Sequence, residues 1–287
     1  MNAPLRQLLD LLRLERIDKH IFRGPSQDLG WGRMFGGQVL GQALSAAGQT
    51  VPDDRIAHSL HAYFLRPGDA DKPVVFVVDP IRDGRSFSTR RVVATQDGCP
   101  IFNLSASFQG LEAGFEHQDA KPDVIGPHGL VSQRELSQKV AHMLPPALAE
   151  RVTAEGPFEV RPVKPRNPVK PRKDAPDRHT WVRALGDVGE DQSTHRTLLA
   201  WFSDAHFLTT SMQPHGVSWM TPGLQVASLD HAMWFHRPLR IDEWLLYDVH
   251  SPNAAGARGL VRGRFFTEAG ELVATVVQEG LIRDRRG

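Results

Sequence analysis

The sequence predicts an α+β protein in which one helix-plus-sheet unit occurs twice. Three observations predict this class: an apolar helical run precedes several strand-like segments, no helix separates those strands, and the whole pattern returns in the second half. Strands that follow one another without an intervening helix pair in antiparallel fashion. The 287 residues also exceed the usual length of one domain, so two units are expected.

The first half begins with an amphipathic helix over residues 1–14, because its leucines recur at helical spacing. Gly36 and Gly37 precede a second helical run over residues 38–48, whose small residues let a sheet approach closely. Four segments rich in Val, Ile, Phe and Thr then follow, separated by turn dipeptides such as Pro-Gly and Asp-Gly. They predict strands at residues 57–65, 73–79, 86–95 and 101–109.

The second half repeats this order, with a helical run at residues 192–208 and strands at 225–235, 244–250, 257–266 and 272–282. The similarity reaches individual residues. The block that starts at His61 (His-Ala-Tyr-Phe-Leu-Arg-Pro) resembles the block that starts at His231 (His-Ala-Met-Trp-Phe-His-Arg-Pro), and Gln109 matches Gln278. Repetition in the same order indicates duplication of one unit.

The predicted domains are an N-terminal unit of residues 1–110, a connector of residues 111–155 and a C-terminal unit of residues 156–287. The connector contains a helical segment near residues 132–144. Within the C-terminal unit, residues 161–178 contain five prolines and seven basic side chains against two acidic ones, so a loop is expected there. Its charge indicates either a site for a phosphorylated ligand or a solvated surface.

Charge and cysteine content exclude several classes of protein. The net charge of +1 argues against a nucleic-acid binder, whose phosphate contacts require a basic excess. The single cysteine, Cys99, excludes an intrachain disulfide. No apolar stretch is long enough to span a membrane, and the N-terminus lacks the apolar region of a signal peptide. A cytoplasmic protein without membrane insertion is therefore expected.

Familiar motifs for cofactors, metals and nucleophiles are missing. Residues 30–35 lack the third glycine of a dinucleotide fingerprint, and residues 84–88 lack the last glycine of a nucleophile elbow. His58 and His61 lie three positions apart on one predicted strand and point to opposite faces, which is unsuitable for a shared metal. Cys99 lies in a turn without a nearby base. No metal, cofactor or covalent nucleophile is expected.

Three polar residues are candidates for chemistry. Asp204 lies in a mostly apolar stretch, where it is either exposed beside Ser203 or held in a pocket that raises its basicity. Ser228 lies just before Asp230 in a predicted strand. Gln278 lies in the last strand, where a buried amide needs partners. Taken alone, each is more often a structural residue than a catalytic one.

Longer blocks resemble the acyl-CoA thioesterase II family (TesB type) over nearly the whole chain. They comprise residues 34–38, 58–69, 86–92, 112–118, 229–238 and 277–280. The resemblance implies a double hot-dog fold, in which two antiparallel sheets, each wrapping a central helix, are fused in one chain. It also implies that acyl-CoA thioesters are hydrolysed to free fatty acid and coenzyme A without a cofactor. A homo-oligomer, either a dimer or a tetramer, is implied as well.

The family's catalytic acid, hydroxyl and amide fall on Asp204, Ser228 and Gln278. The resemblance implies that the acid activates a water that the other two hold, with Ser228 at a position where bacterial members carry Thr. A backbone N–H near Gly36 and Gly37 is the expected donor to the thioester carbonyl, because helix N-termini favour negative charge. The first central helix, residues 38–48, has no carboxylate to match Asp204, so we expect the first half to support binding only.

The substrate-binding residues are not assigned by the sequence. Arg85, Arg90 and the loop of residues 164–173 are candidates for the phosphates of coenzyme A, since Arg and Lys bind phosphate. Aromatic residues that either line an acyl channel or pack in the core are Trp201, Phe202, Trp219 and Trp234. Two other functions stay open: a hot-dog hydratase or dehydratase, and a non-catalytic acyl-CoA binding protein.

Overall fold

The structure is a computed structural model that describes residues 1–30 and 32–285; residues 286–287, at the end of the predicted C-terminal unit, lie outside this part. The α-helices are α1 (Ala3–Leu12), α2 (Gly36–Gly48), α3 (Gln133–Val140), α4 (Pro146–Thr153), α5 (Gln192–Ser203) and α6 (Thr209–Met212). The first-half strands are β1 (Glu15–Asp18), β2 (Ile21–Gly24), β3 (Ile56–Phe64), β4 (Val74–Asp83), β5 (Phe87–Gln96) and β6 (Cys99–Gln109). The remaining strands are β7 (Phe158–Pro162), β8 (Asp177–Ala184), β9 (Leu224–Ser228), β10 (Asp230–Phe235), β11 (Leu245–Ala255), β12 (Arg258–Thr267) and β13 (Leu272–Asp284).

The strands form one continuous antiparallel sheet whose order repeats about its centre. The sheet runs β1-β2-β4-β5-β6-β3-β10-β13-β12-β11-β8-β7, with β9 added beside β13. Counted outward from the central β3–β10 pair, the first half gives β3-β6-β5-β4-β2-β1 and the second gives β10-β13-β12-β11-β8-β7. Both halves therefore use the same connectivity, and the predicted α+β class with a repeated unit is confirmed.

The central helices α2 and α5 pack against each other in antiparallel directions. Small residues on α2 allow this, since a Cβ atom on Gly37 would lie 2.2 Å from the backbone oxygen of Trp201. Further along, Gly41 lies beside Thr197 and Gly48 beside Ser193. The small residues of the predicted helix thus serve contact with the second helix as well as with the sheet. The pairing brings the N-terminus of α2 to the C-terminus of α5.

Several boundaries differ from the sequence prediction. The strands β1, β2, β7 and β8 were not predicted. The β1 strand, for example, is exposed throughout and has no apolar alternation. The predicted loop at residues 161–178 is shorter, since β7 ends at Pro162 and β8 begins at Asp177. The helix predicted to reach residue 208 ends at Ser203, and a left-handed backbone at His206 (φ 56°) redirects the chain.

The matched sequence blocks do not all correspond in orientation. His231 is fully buried, whereas His61 is exposed and its ring packs against Trp234. Gln278 is buried, but Gln109 follows the inward-facing Phe108 and donates a hydrogen bond to the exposed Glu112. Residues that are identical in the two halves therefore do not always point in the same direction in the structure.

In the described part of the chain, no helix combines the length and apolarity needed to cross a membrane.

Candidate active site

Asp204 lies where the two central helices meet. It follows the last residue of α5 as its C-cap and is only 9% exposed. The N-terminus of α2 faces it: the Gly37 N–H donates a hydrogen bond to its carboxylate. A Cβ atom on Gly36 would lie 2.6 Å from Asp204 Oδ2, so only glycine allows this approach. The first half of the chain thus holds the acid that the second half supplies.

Burial sets the basicity of this carboxylate. Loss of hydration raises the pKa of Asp204 to about 6 from the ordinary 3.8. Hydrogen bonds from Gln278, Ser228 and the Gly37 N–H favour the ionised form and limit the rise. The group is therefore ionised at neutral pH, yet basic enough to accept a proton.

The side chain of Ser228 reaches Asp204 because the strand bulges. Ser228 pairs with Gly280, whereas Ala232 pairs with Val277, so the register along β13 shifts by one residue around Leu229. A bulge of this kind re-aims a side chain that strict alternation would turn the other way. The extra residue frees the Glu279 N–H, which donates to the carboxylate of Asp230 at 2.7 Å.

The structure brings the three predicted residues together. Ser228 Oγ donates to Asp204 Oδ1 at 3.1 Å, and Gln278 Nε2 donates to Ser228 Oγ at 2.9 Å. Gln278 is 1% exposed, whereas Ser228 is half-buried and lies beside the exposed Ala227. The result is a directed chain of hydrogen bonds from amide to hydroxyl to carboxylate, close to the surface at Ser228.

Sequence reasoning missed two contributors to this cluster. His231 lies behind Gln278, with its Nδ1 atom 2.6 Å from Gln278 Oε1. The Gly37 N–H favours the ionised form of Asp204, so the helix terminus that was predicted to face the thioester carbonyl also faces the acid. The sequence block around His231 carried a signal, because it resembles the family next to the predicted hydroxyl.

Two of the predicted substrate-binding candidates have structural roles. The Arg90 side chain is 2% exposed and bonds to Thr50 and to the Asp83 carboxylate, so it is not available to a phosphate. Trp234 lies on the outer face of the sheet, between the inward-facing Met233 and Phe235. Neither residue is placed to bind a substrate near Asp204.

The other candidates for substrate binding differ in the contacts that they make. Phe202 is buried in the core against Phe158 and Tyr247, and Trp201 stacks on Phe158. Trp219 is half-buried.

The basic candidates for phosphate binding divide into two groups. Lys164 and Arg166 form ion pairs with Asp174, whereas within residues 1–30 and 32–285 no ion pair engages the following cations: Arg85, Lys170, Arg172 and Lys173.

Across residues 1–30 and 32–285, no group of three or more His, Cys, Asp or Glu side chains is arranged to hold a metal ion. The Cys99 thiol is exposed.

Substitution of Gly37 is expected to separate the two central helices. Gly37→Ala places a Cβ atom against the backbone of Trp201, which cannot rotate away. We expect the free energy of unfolding to fall by about 1–3 kcal/mol, the usual cost of overpacking, and kcat to fall because the N–H moves away from Asp204. Gly48→Ala is the matched control, because its Cβ atom would lie 3.6 Å from Ser193 Oγ, an ordinary contact. Urea unfolding of both variants measures the difference; equal stability would contradict the close packing.

The raised pKa also predicts a stability effect at Asp204. The unfolded chain ionises this group near 3.8 and the folded chain near 6, so the stability of the wild type falls as pH rises between these values. Asp204→Asn removes the buried charge. Its free energy of unfolding, relative to wild type, is expected to rise by about 2 kcal/mol between pH ~4.5 and pH ~8, at about 1.4 kcal/mol per pKa unit. Urea unfolding at both pH values tests this, and a constant difference would contradict the raised pKa.

The fold and the cluster together define a class of protein. Two helix-and-sheet halves share one sheet, and a buried acid, a hydroxyl and an amide meet between the central helices. This is a double hot-dog protein, as the sequence resemblance implied.

Comparison with known proteins gives the family. Residues 25–109 match the family model described as acyl-CoA thioesterase N-terminal domain, and residues 148–281 match the model described as acyl-CoA thioesterase. The chain is 46% identical to acyl-CoA thioesterase 2 of Haemophilus influenzae over 99% of both chains. It is 41% identical to human acyl-coenzyme A thioesterase 8, covering 98% of this chain and 91% of the relative. The chain belongs to the acyl-CoA thioesterase family.

Solved structures agree with this membership. The acyl-CoA thioesterase II TesB2 of Mycobacterium marinum superposes with a TM-score of 0.79 at 40% identity, covering 98% of each chain. The tesB protein MAP1729c of Mycobacterium avium subs paratuberculosis superposes with a TM-score of 0.80 at 30% identity, over 98% of this chain and 100% of the other.

Proposed function

We propose that this chain hydrolyses acyl-CoA thioesters to free fatty acid and coenzyme A by attack of a water that Asp204 activates. The observation that carries the proposal is the buried Asp204 carboxylate, whose pKa is raised to about 6 and which accepts a hydrogen bond from Ser228. General-base catalysis is most effective when the base titrates near the working pH. The names of the relatives support the substrate class.

The proposed reaction needs no covalent intermediate on the protein. Asp204 accepts one proton as the water oxygen bonds to the carbonyl carbon, and the carbon–sulfur bond breaks when the tetrahedral intermediate collapses. The proton on Asp204 then passes to the departing thiolate of coenzyme A. Ser228 and Gln278 hold the carboxylate and the water in one geometry, which lowers the entropic cost of the attack.

A substrate assay tests the function and separates it from its rivals. Purified chain is mixed with acyl-CoA, and release of free thiol is followed together with formation of the free acid. The proposal predicts equal amounts of both products. Conversion of an enoyl-CoA to a hydroxyacyl-CoA without thiol release would instead establish a hydratase. Saturable binding of acyl-CoA without any product would establish a binding protein.

The hydratase alternative lacks a suitable histidine at this site. His231 is fully buried and its two ring nitrogens contact Gln278 and Ser203, so it does not face a substrate. His206 is two positions from Asp204, beyond the end of α5 and in a left-handed backbone conformation. The hydrolytic reaction, in contrast, requires only the acid, the hydroxyl and the amide.

We also propose the organisation in which this reaction occurs. Residues 1–110 and 156–287 act as domains joined by the connector of residues 111–155, in a cytoplasmic homo-oligomer of two or four chains. The family models support two units, although the second match starts within the connector at residue 148. Sedimentation of the purified chain distinguishes the dimer from the tetramer, and a monomer would contradict this organisation.

A further inference from the structure

His231 is the buried neighbour of Gln278 on the adjacent strand. It lies one residue beyond the paired Ala232 on β10, and Gln278 lies one residue beyond the paired Val277 on β13. Both side chains point inward and are at most 1% exposed. The imidazole connects two elements, since Nδ1 lies 2.6 Å from Gln278 Oε1 and Nε2 lies 2.9 Å from Ser203 Oγ.

The hydrogen-bond partners of Gln278 and His231 determine which of their atoms donate and which accept. Gln278 Nε2 donates to Ser228 Oγ, so the amide oxygen Oε1 faces His231 and must accept. His231 Nδ1 therefore carries the hydrogen. Burial lowers the pKa of His231 to about 4, so the ring is neutral and its Nε2 atom carries no hydrogen. Ser203 Oγ lies 2.9 Å from this Nε2 and 2.8 Å from the Ala200 carbonyl oxygen, so its single hydrogen has two acceptors within reach. The tautomer is thus fixed by its partners.

These contacts close a ring of hydrogen bonds around the candidate active site. Ser203 immediately precedes Asp204, and the Tyr247 hydroxyl donates to the Ser203 carbonyl at 2.8 Å. The amide of Gln278 is therefore connected to Asp204 through Ser228 on one side, and through His231 and Ser203 at the end of α5 on the other. Such networks order side chains that single contacts leave free to rotate.

The amide of Gln278 needs this support because its two orientations have nearly the same shape. In the reversed orientation Oε1 would face Ser228 Oγ, whose hydrogen is directed at Asp204, and two acceptors would oppose each other. On the other side, Nε2 would face the Nδ1 hydrogen of His231. Unmade hydrogen bonds of buried groups cost about 1–3 kcal/mol each. A donor at Nδ1 therefore excludes the reversed amide.

We propose that His231 is a positioning residue that fixes the amide of Gln278 with Nε2 toward Ser228 and the reacting water. This inference rests on the proposed function, because it matters only if Gln278 holds the water. His231 does not touch the substrate and acts through Gln278. It follows that the hydrogen on Nδ1, rather than the imidazole ring as such, is what turnover requires.

Three substitutions separate the donor from the ring. In His231→Asn the amide nitrogen takes the place of Nδ1 and still donates to Gln278. In His231→Gln the amide nitrogen takes the place of Nε2, and in His231→Leu no donor remains. We expect kcat to stay within about threefold of wild type in His231→Asn and to fall by about 10-fold or more in the other two, consistent with an unmade buried hydrogen bond. KM for acyl-CoA should change little, because His231 does not face the substrate. Equal kcat losses in His231→Asn and His231→Gln would overturn the inference.

A double substitution covers variants that fold poorly and separates this inference from the proposed function. Once Gln278→Ala has removed the amide, adding His231→Gln should lower kcat no further. Independent, multiplicative losses would overturn the role of His231 while leaving the proposed function intact. If Gln278→Ala alone kept wild-type turnover, the proposed role of the amide would fail, and with it the role of His231. Circular dichroism and thermal melting are measured on every variant so that kcat refers to folded protein.

Discussion

Asp204→Asn is expected to lower kcat for acyl-CoA hydrolysis by about 10²–10⁴-fold, the usual contribution of a general base. Asparagine retains the shape and accepts hydrogen bonds but cannot take a proton from water. KM should stay within a few-fold, since the proposed role of the carboxylate is to activate water and not to bind the coenzyme. Steady-state kinetics with free-thiol detection measures both constants.

The matched control for this variant is Glu279→Gln. It removes one negative charge at the residue next to Gln278, from a side chain that pairs with Arg258 at 3.0 Å on the outer face. Its kcat should remain near wild type. If Asp204→Asn were as active as Glu279→Gln while remaining folded, Asp204 would not be the base.

Gln278→Ala is expected to lower kcat by about 10–100-fold, because the hydroxyl of Ser228 loses its donor and the water loses a fixed partner. Gln109→Ala is the matched comparison from the first half. The Gln109 amide donates only to the exposed Glu112, so its removal should leave kcat near wild type. The same kinetic assay measures both variants. Equal losses would show that both halves carry the chemistry, contrary to the asymmetry inferred from the sequence.

The repeated fold was predictable because its signals are local. Segments rich in Val, Ile, Phe and Thr marked the central strands of both halves, and in the first half Pro-Gly or Asp-Gly turns separated them. The outer strands lacked such signals. β1 consists of Glu15–Asp18 and is exposed at every position, and the start of β8 borders a proline-rich loop. Their pairing depends on neighbours that are distant in the sequence.

The site was predictable only through resemblance to a family. Ser228 lies 24 positions from Asp204 and 50 from Gln278, so no local pattern brings them together. Two features needed the structure. The bulge at Leu229 turns Ser228 toward the acid, and alternation alone would have turned it away. His231 contacts Gln278 because the two residues face each other on paired strands. The sequence match of His61 with His231 did not predict this contact, because His61 is exposed and packs against Trp234.

The pH dependence of kcat/KM is the most direct test of Asp204 as the general base. The pH dependence of kcat/KM reports groups of the free enzyme, so it should rise with pH through a single limb near the pKa of about 6 and then level off. Phosphate groups also titrate near pH ~6. The profile is therefore measured with an acyl-pantetheine, which lacks the phosphates of coenzyme A. The wild type is expected to show this limb, and the residual activity of Asp204→Asn is expected to lack it. A wild-type profile that is flat from pH ~5 to ~8, or a limb that survives in Asp204→Asn, would contradict the assignment of Asp204 as the base.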